Sequence, residues 1–240
     1  MILAAGTGTR LKPLTDTRPK ALVPIGGVPM LEHQLLKIKA AGFTHLVINI
    51  HHFGEQIIEF LASKNNFGLS VDISDERDFL LDTGGGIKRA ARFLDGDIPF
   101  LVHNVDIFSN ADLREMYRSH VHSNAMATLL VSSRQASRQL LFNTEERLCG
   151  WRNRKTEELK SPFPDFDTAN CTEYAFGGVH VISPEIFRLM EQWTGNFSII
   201  QFYLSICSTQ PVHLYTEHGI RLIDAGKTEA LEEVEQWMSV

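Results

Sequence analysis

The chain has 240 residues, of which 43% are apolar, and this length and composition suit one globular core. Its 23 Lys and Arg residues against 29 Asp and Glu residues leave a formal net charge of −6, which argues against a general polyanion-binding surface or a nucleic-acid partner. The apolar runs fall well short of a membrane span, and Arg10 and Lys12 interrupt the N-terminal one, so we expect neither a membrane segment nor a signal peptide. Cys149, Cys171 and Cys207 lack any CxxC spacing and predict free thiols in a cytoplasmic protein.

Apolar runs and helix-period segments alternate through the first half of the chain. The pattern predicts strands at 1–5, 45–50, 69–73 and 99–102, and helices that begin at Pro29, at Glu55 and at Gly86. Strands that alternate with helices at this spacing need crossover connections. We therefore expect an α/β fold with a Rossmann-like, mixed but mostly parallel sheet and helices on both of its faces.

The second half of the chain has a less regular rhythm. After a helix at 110–120, the pattern predicts strands at 127–131, 139–143 and 174–182. Two helices at 184–193 and 197–207, a strand at 212–216 and a closing helix at 227–238 complete the chain. The polar segment 144–170 contains Pro162 and Pro164 and is expected to be an inserted hairpin or lid. We expect a single domain over 1–240 without a C-terminal β-helix.

The densest signal is the loop that follows the first predicted strand. Residues 3–10 read LAAGTGTR, and small residues there would let backbone N–H groups approach a phosphate closely. Arg10 and Lys20 add two cations within a segment rich in proline. The pattern is neither a P-loop nor a Rossmann fingerprint, because GxxxxGK[ST] and the third glycine are absent. The alternative is a surface loop with incidental basic residues.

This region resembles the opening signature of the sugar-phosphate nucleotidyltransferases, also called nucleoside-diphosphate-sugar pyrophosphorylases. The signature L-A-A-G-x-G-T-R-x-x-P-L-T, followed by P-K-x-L-x-P, stands in full between Leu3 and Pro24. The resemblance extends over nearly the whole chain, and the chain is most similar to short bacterial members without a β-helix. It implies the nucleotide-diphospho-sugar transferase fold.

The resemblance also implies a reaction. A sugar-1-phosphate oxygen attacks the α-phosphorus of a nucleoside triphosphate, and pyrophosphate leaves. The nucleophile needs no general base, because the second pKa of a phosphate monoester is about 6. The resemblance implies that Arg10 contacts the leaving phosphates and that Lys20 lies nearer the α-phosphate. Asp106 and Asp224 are the implied Mg²⁺ ligands, since this ion takes carboxylates together with phosphate oxygens and water.

The remaining site residues follow from the same resemblance. It places the nucleotide against Leu3, Ala4, Ala5, Gly6, Gly8, Thr9, Arg10, Thr83, Gly84 and Gly85, and the sugar against Asn104, Gly177 and Gly178. The open alternatives are a simple strand-to-helix turn at 82–86, a bulge at 177–178, and a helix N-cap role for Asp224. Val105 and Lys227 depart from the family pattern.

We therefore expect an enzyme that forms an NDP-sugar, with Mg²⁺ as cofactor and a nucleoside triphosphate and a sugar-1-phosphate as partners. UTP with N-acetylmuramate 1-phosphate or a related hexose 1-phosphate is the favoured pair, and GTP with mannose 1-phosphate is the alternative. A non-catalytic, nucleotide-sugar-binding regulatory subunit and nucleotidyl transfer to phosphocholine are the rival functions. The chain is expected to be a monomer or a homodimer.

Overall fold

A computed structural model of the chain describes residues 1–164 and 166–239. The strands, in chain order, are β1 (Ile2–Leu3), β2 (Pro24–Ile25), β3 (Val28–Pro29), β4 (His45–Ile50), β5 (Ser70–Asp75), β6 (Phe100–Asn104), β7 (Ile107–Ser109), β8 (Ala127–Ser132), β9 (Arg138–Phe142), β10 (Leu148–Asn153), β11 (Glu158–Lys160), β12 (Thr172–Ile182), β13 (Val212–Tyr215) and β14 (Leu222–Asp224). The helices are α1 (Met30–Ala40), α2 (Gly54–Ser63), α3 (Asp82–Arg89), α4 (Ala91–Leu94), α5 (Leu113–Ser123), α6 (Ile186–Leu189), α7 (Ile199–Ile206) and α8 (Thr228–Met238). Within the described residues, none of these helices has the length and apolar character to cross a membrane.

One mixed sheet organises the molecule, which confirms the predicted α/β fold class. Its strand order is β11-β10-β9-β12-β6-β1-β4-β5. The strands β6, β1, β4 and β5 run parallel to one another, because helices connect them. The long strand β12 pairs antiparallel with β6, β8 and β9, so it joins the parallel region to an antiparallel one.

Helices cover both faces of the sheet, and strand β4 shows why. Leu46, Ile48 and Ile50 pack into a core with residues of α1, α2, α5 and α8, whereas Val47 packs into a second core with residues of α3, α6 and α7. Successive side chains of a strand point to opposite faces. A strand that is apolar at both sets of positions is therefore buried between two layers of helices.

The structure corrects several predicted boundaries. The first strand covers only Ile2–Leu3, and α3 begins at Asp82 rather than at Gly86, so the glycine run lies inside the helix and not before it. A break at Ala90 separates α3 from α4. The predicted helix at 184–193 is the short α6. Segment 144–170 does contain a hairpin, β10–β11, which extends the main sheet through β9.

Two short strands that the sequence patterns did not predict lie beside the site. Strand β7 begins just after Asp106, and it pairs antiparallel with β14, which ends at Asp224. Asp224 lies opposite Ile107 in this register, and the Ala225 N–H donates to the Asp106 carbonyl at 2.9 Å. This small sheet holds together two acidic residues that are far apart in the sequence.

Candidate active site

The signature loop folds tightly around Gly8. Gly8 has φ +65°, and a Cβ there would lie 2.8 Å from Thr15 Cγ2 and 3.0 Å from Lys20 Cβ. The Thr15 hydroxyl donates to the Gly8 carbonyl at 2.9 Å. Glycine is needed here because the loop adopts a left-handed conformation and also packs against its own later residues. Thr9 and Arg10 follow in a 3₁₀ turn, so Arg10 and Lys20 extend from a fixed loop.

The Lys20 ammonium contacts the Asp106 carboxylate directly, as an ion pair with both side chains largely buried. Asp106 follows β6, which lies beside β1 in the centre of the sheet. The carboxyl ends of parallel strands form the usual ligand-binding edge of an open α/β sheet. The predicted cation of the loop and the predicted carboxylate of the central strand therefore meet at that edge.

Arg10 and Asp224 form a second, looser ion pair, with 3.9 Å between Arg10 Nη2 and Asp224 Oδ2. Gly226 lies between the two pairs: a Cβ there would be 2.6 Å from Arg10 Nη2, 2.7 Å from Asp224 Oδ1 and 3.1 Å from Asp106 Oδ2. Both carboxylates thus border one small space that only a glycine leaves open. Two hard oxygen donors around such a space fit Mg²⁺, which completes its shell with water and substrate phosphates. Among residues 1–164 and 166–239, no third His, Cys, Asp or Glu joins them.

The charge on Asp224 is favoured by its surroundings. Burial alone would raise the pKa of Asp224, but the Gly226 N–H, the Lys20 and Arg10 charges and the Asp106 carboxyl group together lower it below its ordinary value of 3.8. The Gly226 N–H donates to Asp224 Oδ1 at 2.9 Å. The N-cap of α8 is Lys227, so Asp224 is not the helix cap considered as the alternative from sequence.

A cavity of about 370 Å³ lies beside these charges. Predicted site residues line it, namely Leu3, Ala5, Gly6, Lys20, Thr83, Asn104 and Asp106. A Cβ at Gly6 would meet no atom within 4 Å, so the loop backbone there borders open space. A larger cavity of about 730 Å³ lies at the opposite, amino ends of the strands, near Met1 and Phe100, and none of the predicted site residues lines it.

The sequence patterns did not single out two residues of this cavity wall, Asn49 and Glu76. Asn49 Oδ1 accepts the Ala4 N–H at 2.6 Å, and Asn49 Nδ2 donates to Glu76 Oε1 at 2.8 Å. Glu76 is fully buried, and its Oε2 has no hydrogen-bond partner among the residues that the structure describes. Burial raises the pKa of Glu76 above the ordinary value of 4.5. A polar Asn inside the apolar strand His45–Ile50 was the signal that could have pointed to these hydrogen bonds.

The glycine run at 84–86 packs closely against the segment before α7. The Gly84 and Gly85 N–H groups both donate to the Phe197 carbonyl, at 2.9 and 3.3 Å, and a Cβ at Gly84 would collide with the Phe197 ring. These two N–H groups are therefore already paired within the protein. Thr83 Oγ1 likewise accepts the Ile199 N–H, at 3.0 Å. The nucleotide contacts of Thr83, Gly84 and Gly85 stay predictions.

The glycine pair in β12 coincides with an irregularity in the strand. The pairing of β12 with β8 shifts register between Phe176 and His180. Gly178 has φ +67°, and a Cβ there would lie 2.9 Å from Asn104 Nδ2. A Cβ at Gly177 would lie 2.9 Å from the Leu130 carbonyl. The bulge therefore lets β12 approach Asn104, and the sugar contacts of Asn104, Gly177 and Gly178 stay predictions.

Comparison with known proteins identifies the class. The family described as nucleotidyl transferase matches residues 1–140, more than half of the chain, and the chain belongs to this family. A solved inositol-1-phosphate CTP transferase from T. maritima superposes with a TM-score of 0.77 at 16% identity, over 99% of this chain and 93% of that one. At this identity the superposition shows a shared fold only.

Two relatives differ in the substrates that their names give. The N-acetylmuramate α-1-phosphate uridylyltransferase of Neisseria meningitidis is 41% identical over 119 residues, which are 50% of this chain and 51% of that protein. The mannose-1-phosphate guanyltransferase of Candida albicans is 35% identical over 193 residues, 80% of this chain and 51% of that protein. The chain spans about half the length of the curated relatives it matches.

Proposed function

We propose that the chain is a sugar-1-phosphate nucleotidyltransferase, which joins a nucleoside monophosphate unit to a sugar-1-phosphate and releases pyrophosphate. The observation that carries the proposal is the convergence of Arg10, Lys20, Asp106 and Asp224 at the carboxyl end of the parallel strands, beside a cavity. Transfer between two polyanions needs positioning and neutralisation of charge more than acid–base chemistry. Two cations and two carboxylates around one space suit that task.

Each cation has a distinct role in this proposal. The buried Lys20 ammonium lies against Asp106 and would bind the α-phosphate, where charge develops during attack. The more exposed Arg10 would bind the departing β- and γ-phosphates through its planar guanidinium group. Asp106 and Asp224 would hold Mg²⁺, which supplies charge neutralisation and alignment of the triphosphate when it is bound.

We also propose that Lys20 exchanges its partner when substrate binds. Its ammonium occupies one oxygen of Asp106. Binding of a cation and a triphosphate would offer the lysine phosphate oxygens in exchange for that carboxylate oxygen. The lysine would thus move from a protein partner to the substrate without being left unpaired, which avoids the cost of a buried, unpaired charge.

For the substrate pair, we propose UTP and N-acetylmuramate 1-phosphate or a related hexose 1-phosphate. Support comes from relatives in Neisseria meningitidis and Caulobacter vibrioides, both named as N-acetylmuramate α-1-phosphate uridylyltransferases, at 41% and 44% identity. The Candida albicans relative, which matches 80% of this chain, favours GTP and mannose 1-phosphate as the second candidate.

The test is a pyrophosphate-release screen in which each of the common nucleoside triphosphates is combined with several phosphorylated acceptors and Mg²⁺. We expect release with UTP and N-acetylmuramate 1-phosphate, and a strong preference for one base, because a polar pocket rejects a base that leaves its groups unpaired. Release only with GTP and mannose 1-phosphate would overturn the substrate but keep the reaction. Release only with phosphocholine would overturn the proposal that the acceptor is a sugar 1-phosphate. No release from folded protein that still binds nucleotide would favour the regulatory-subunit alternative.

A further inference from the structure

Two of the three cysteines lie side by side, and neither lines the cavity of the candidate site. Cys149 lies in β10, where the pairing with β9 shifts register between Leu148 and Gly150. Cys171 immediately precedes β12. The two Sγ atoms are 3.3 Å apart, and both residues are free thiols. The sequence spacing gave no indication of this proximity.

The two thiols differ in access to solvent. Cys149 is buried, and its thiol donates to the Leu141 carbonyl at 3.2 Å. The Ser161 hydroxyl donates to the Cys149 carbonyl at 2.7 Å, which holds the following segment against β10. Cys171 is only partly buried. Burial raises the pKa of Cys149, and hydrogen bonding and charge coupling with Cys171 raise it further. An oxidant in solution would therefore react first at Cys171.

We propose that Cys149 and Cys171 form a reversible disulfide, so that this pair is a redox modification site. A disulfide bond is about 2.05 Å long, so the sulfur atoms need to approach by roughly 1.3 Å. The nearby hairpin β10–β11 would then be covalently joined to the start of β12.

The reaction balances with glutathione disulfide as the oxidant. The Cys171 thiolate attacks one sulfur of glutathione disulfide, which breaks that bond, releases one glutathione thiolate and forms a mixed disulfide. The Cys149 thiol then loses its proton to solvent and attacks the Cys171 sulfur, which releases the second glutathione. Two protein thiols are oxidised and one glutathione disulfide is reduced to two glutathione molecules.

The experiment treats the folded protein with excess glutathione disulfide and analyses it by intact mass and by peptide mapping without reduction. We expect a Cys149–Cys171 cross-linked peptide that dithiothreitol removes, and a Tm higher by roughly 5 °C in the oxidised protein, because the bond restricts the unfolded chain. Cys149→Ser should instead accumulate glutathione on Cys171. Cys207→Ser is the matched control, since Cys207 is a buried thiol, and it should form the same cross-link as the wild type.

Two results would overturn the proposal. One is wild-type protein in which Cys171 carries glutathione but never resolves to the internal disulfide. The other is protein in which both thiols stay free under conditions that modify an exposed cysteine peptide. Circular dichroism of each variant establishes that it is folded before its thiols are compared.

Discussion

The two ion pairs of the candidate site contain the same charges but differ in their surroundings. Lys20 and Asp106 lie on the inner side, with side chains 12% and 13% exposed, whereas Arg10 and Asp224 are 53% and 38% exposed. Water screens the outer pair and weakens it. The inner pair is largely removed from water, so loss of either member leaves a charge that is difficult to solvate. We therefore expect the cation of the inner pair, Lys20, to determine turnover and the cation of the outer pair, Arg10, to determine nucleotide binding.

The origin of each pair also differs. The inner pair joins the signature loop, which Ala4, Leu11 and Ala21 anchor in the main core, to the end of a central parallel strand. The outer pair joins the same loop to β14, a short strand of a separate two-stranded sheet. The carboxylate of the outer pair therefore depends on a smaller structural support than the carboxylate of the inner pair.

The largest effect is expected from Asp106→Asn. Loss of this carboxylate removes a proposed Mg²⁺ ligand and the partner of Lys20, and kcat should fall about a thousandfold, on the order of 4 kcal/mol. Steady-state kinetics at saturating Mg²⁺ measures the change. Asp97→Asn, at the opposite end of the strands, is the control and should behave as wild type. A variant of Asp106 with near-normal kcat would contradict the metal role.

Lys20→Ala should lower kcat by about a hundredfold, on the order of 3 kcal/mol, with a smaller change in nucleotide affinity. The reason is that the proposed contact at the α-phosphate strengthens as charge develops in the transition state. Lys12→Ala is the matched control, because Lys12 is an exposed lysine of the same loop that pairs with Asp16, at 3.2 Å. A Lys20 variant with altered KM and unchanged kcat would place this lysine elsewhere.

Arg10→Ala should raise the KM for the nucleotide about tenfold, or about 1.4 kcal/mol, with little change in kcat. Because Arg10 is exposed, its contribution should weaken as salt screens the charge. Measuring KM for both proteins at low and high ionic strength tests this directly. If the difference between them were independent of salt and confined to kcat, the division between an inner and an outer pair would be wrong.

The smallest effect concerns the stability of the Glu76 environment. Burial raises the pKa of Glu76 in the folded chain, so ionisation disfavours folding, and this cost appears as the pH rises above the ordinary value of 4.5. Glu76→Gln keeps an oxygen to accept from Asn49 but cannot ionise. The variant should therefore gain stability relative to wild type between pH 4 and pH 7, as measured by urea unfolding. A loss of stability relative to wild type over the same pH range would contradict a raised pKa of Glu76 in the folded protein.

Much of the fold could be predicted because local patterns are strong there. The strand His45–Ile50 and the helix that ends before Gly42 follow from apolar periodicity and a glycine stop. Strand β14 could not be predicted in this way, because three residues carry no period, and its pairing with β7 depends on tertiary contacts. The hydrogen bonds from Ala4 to Asn49 and from Asn49 to Glu76 could not be predicted either, because they join three separate segments.

The glycines illustrate the limit for the site. A glycine run is compatible with an open ligand-binding turn and with close packing, and the tertiary contacts of the run distinguish the two. Gly84 and Gly85 donate to the Phe197 carbonyl inside the protein, whereas Gly6 faces open space beside the cavity. The signature could therefore identify the loop and its cations, but it could not identify which backbone groups are free to bind a base.

The most direct test of a shared cation site is to count bound Mn²⁺ by electron paramagnetic resonance, with Mn²⁺ in place of Mg²⁺ and the nucleotide that supports turnover. The arrangement of Asp106 and Asp224 around Gly226 predicts about one tightly bound Mn²⁺ per chain in the presence of nucleotide, and its loss in both Asp106→Asn and Asp224→Asn. Full Mn²⁺ binding in both folded variants would contradict the claim that these two carboxylates form the metal site.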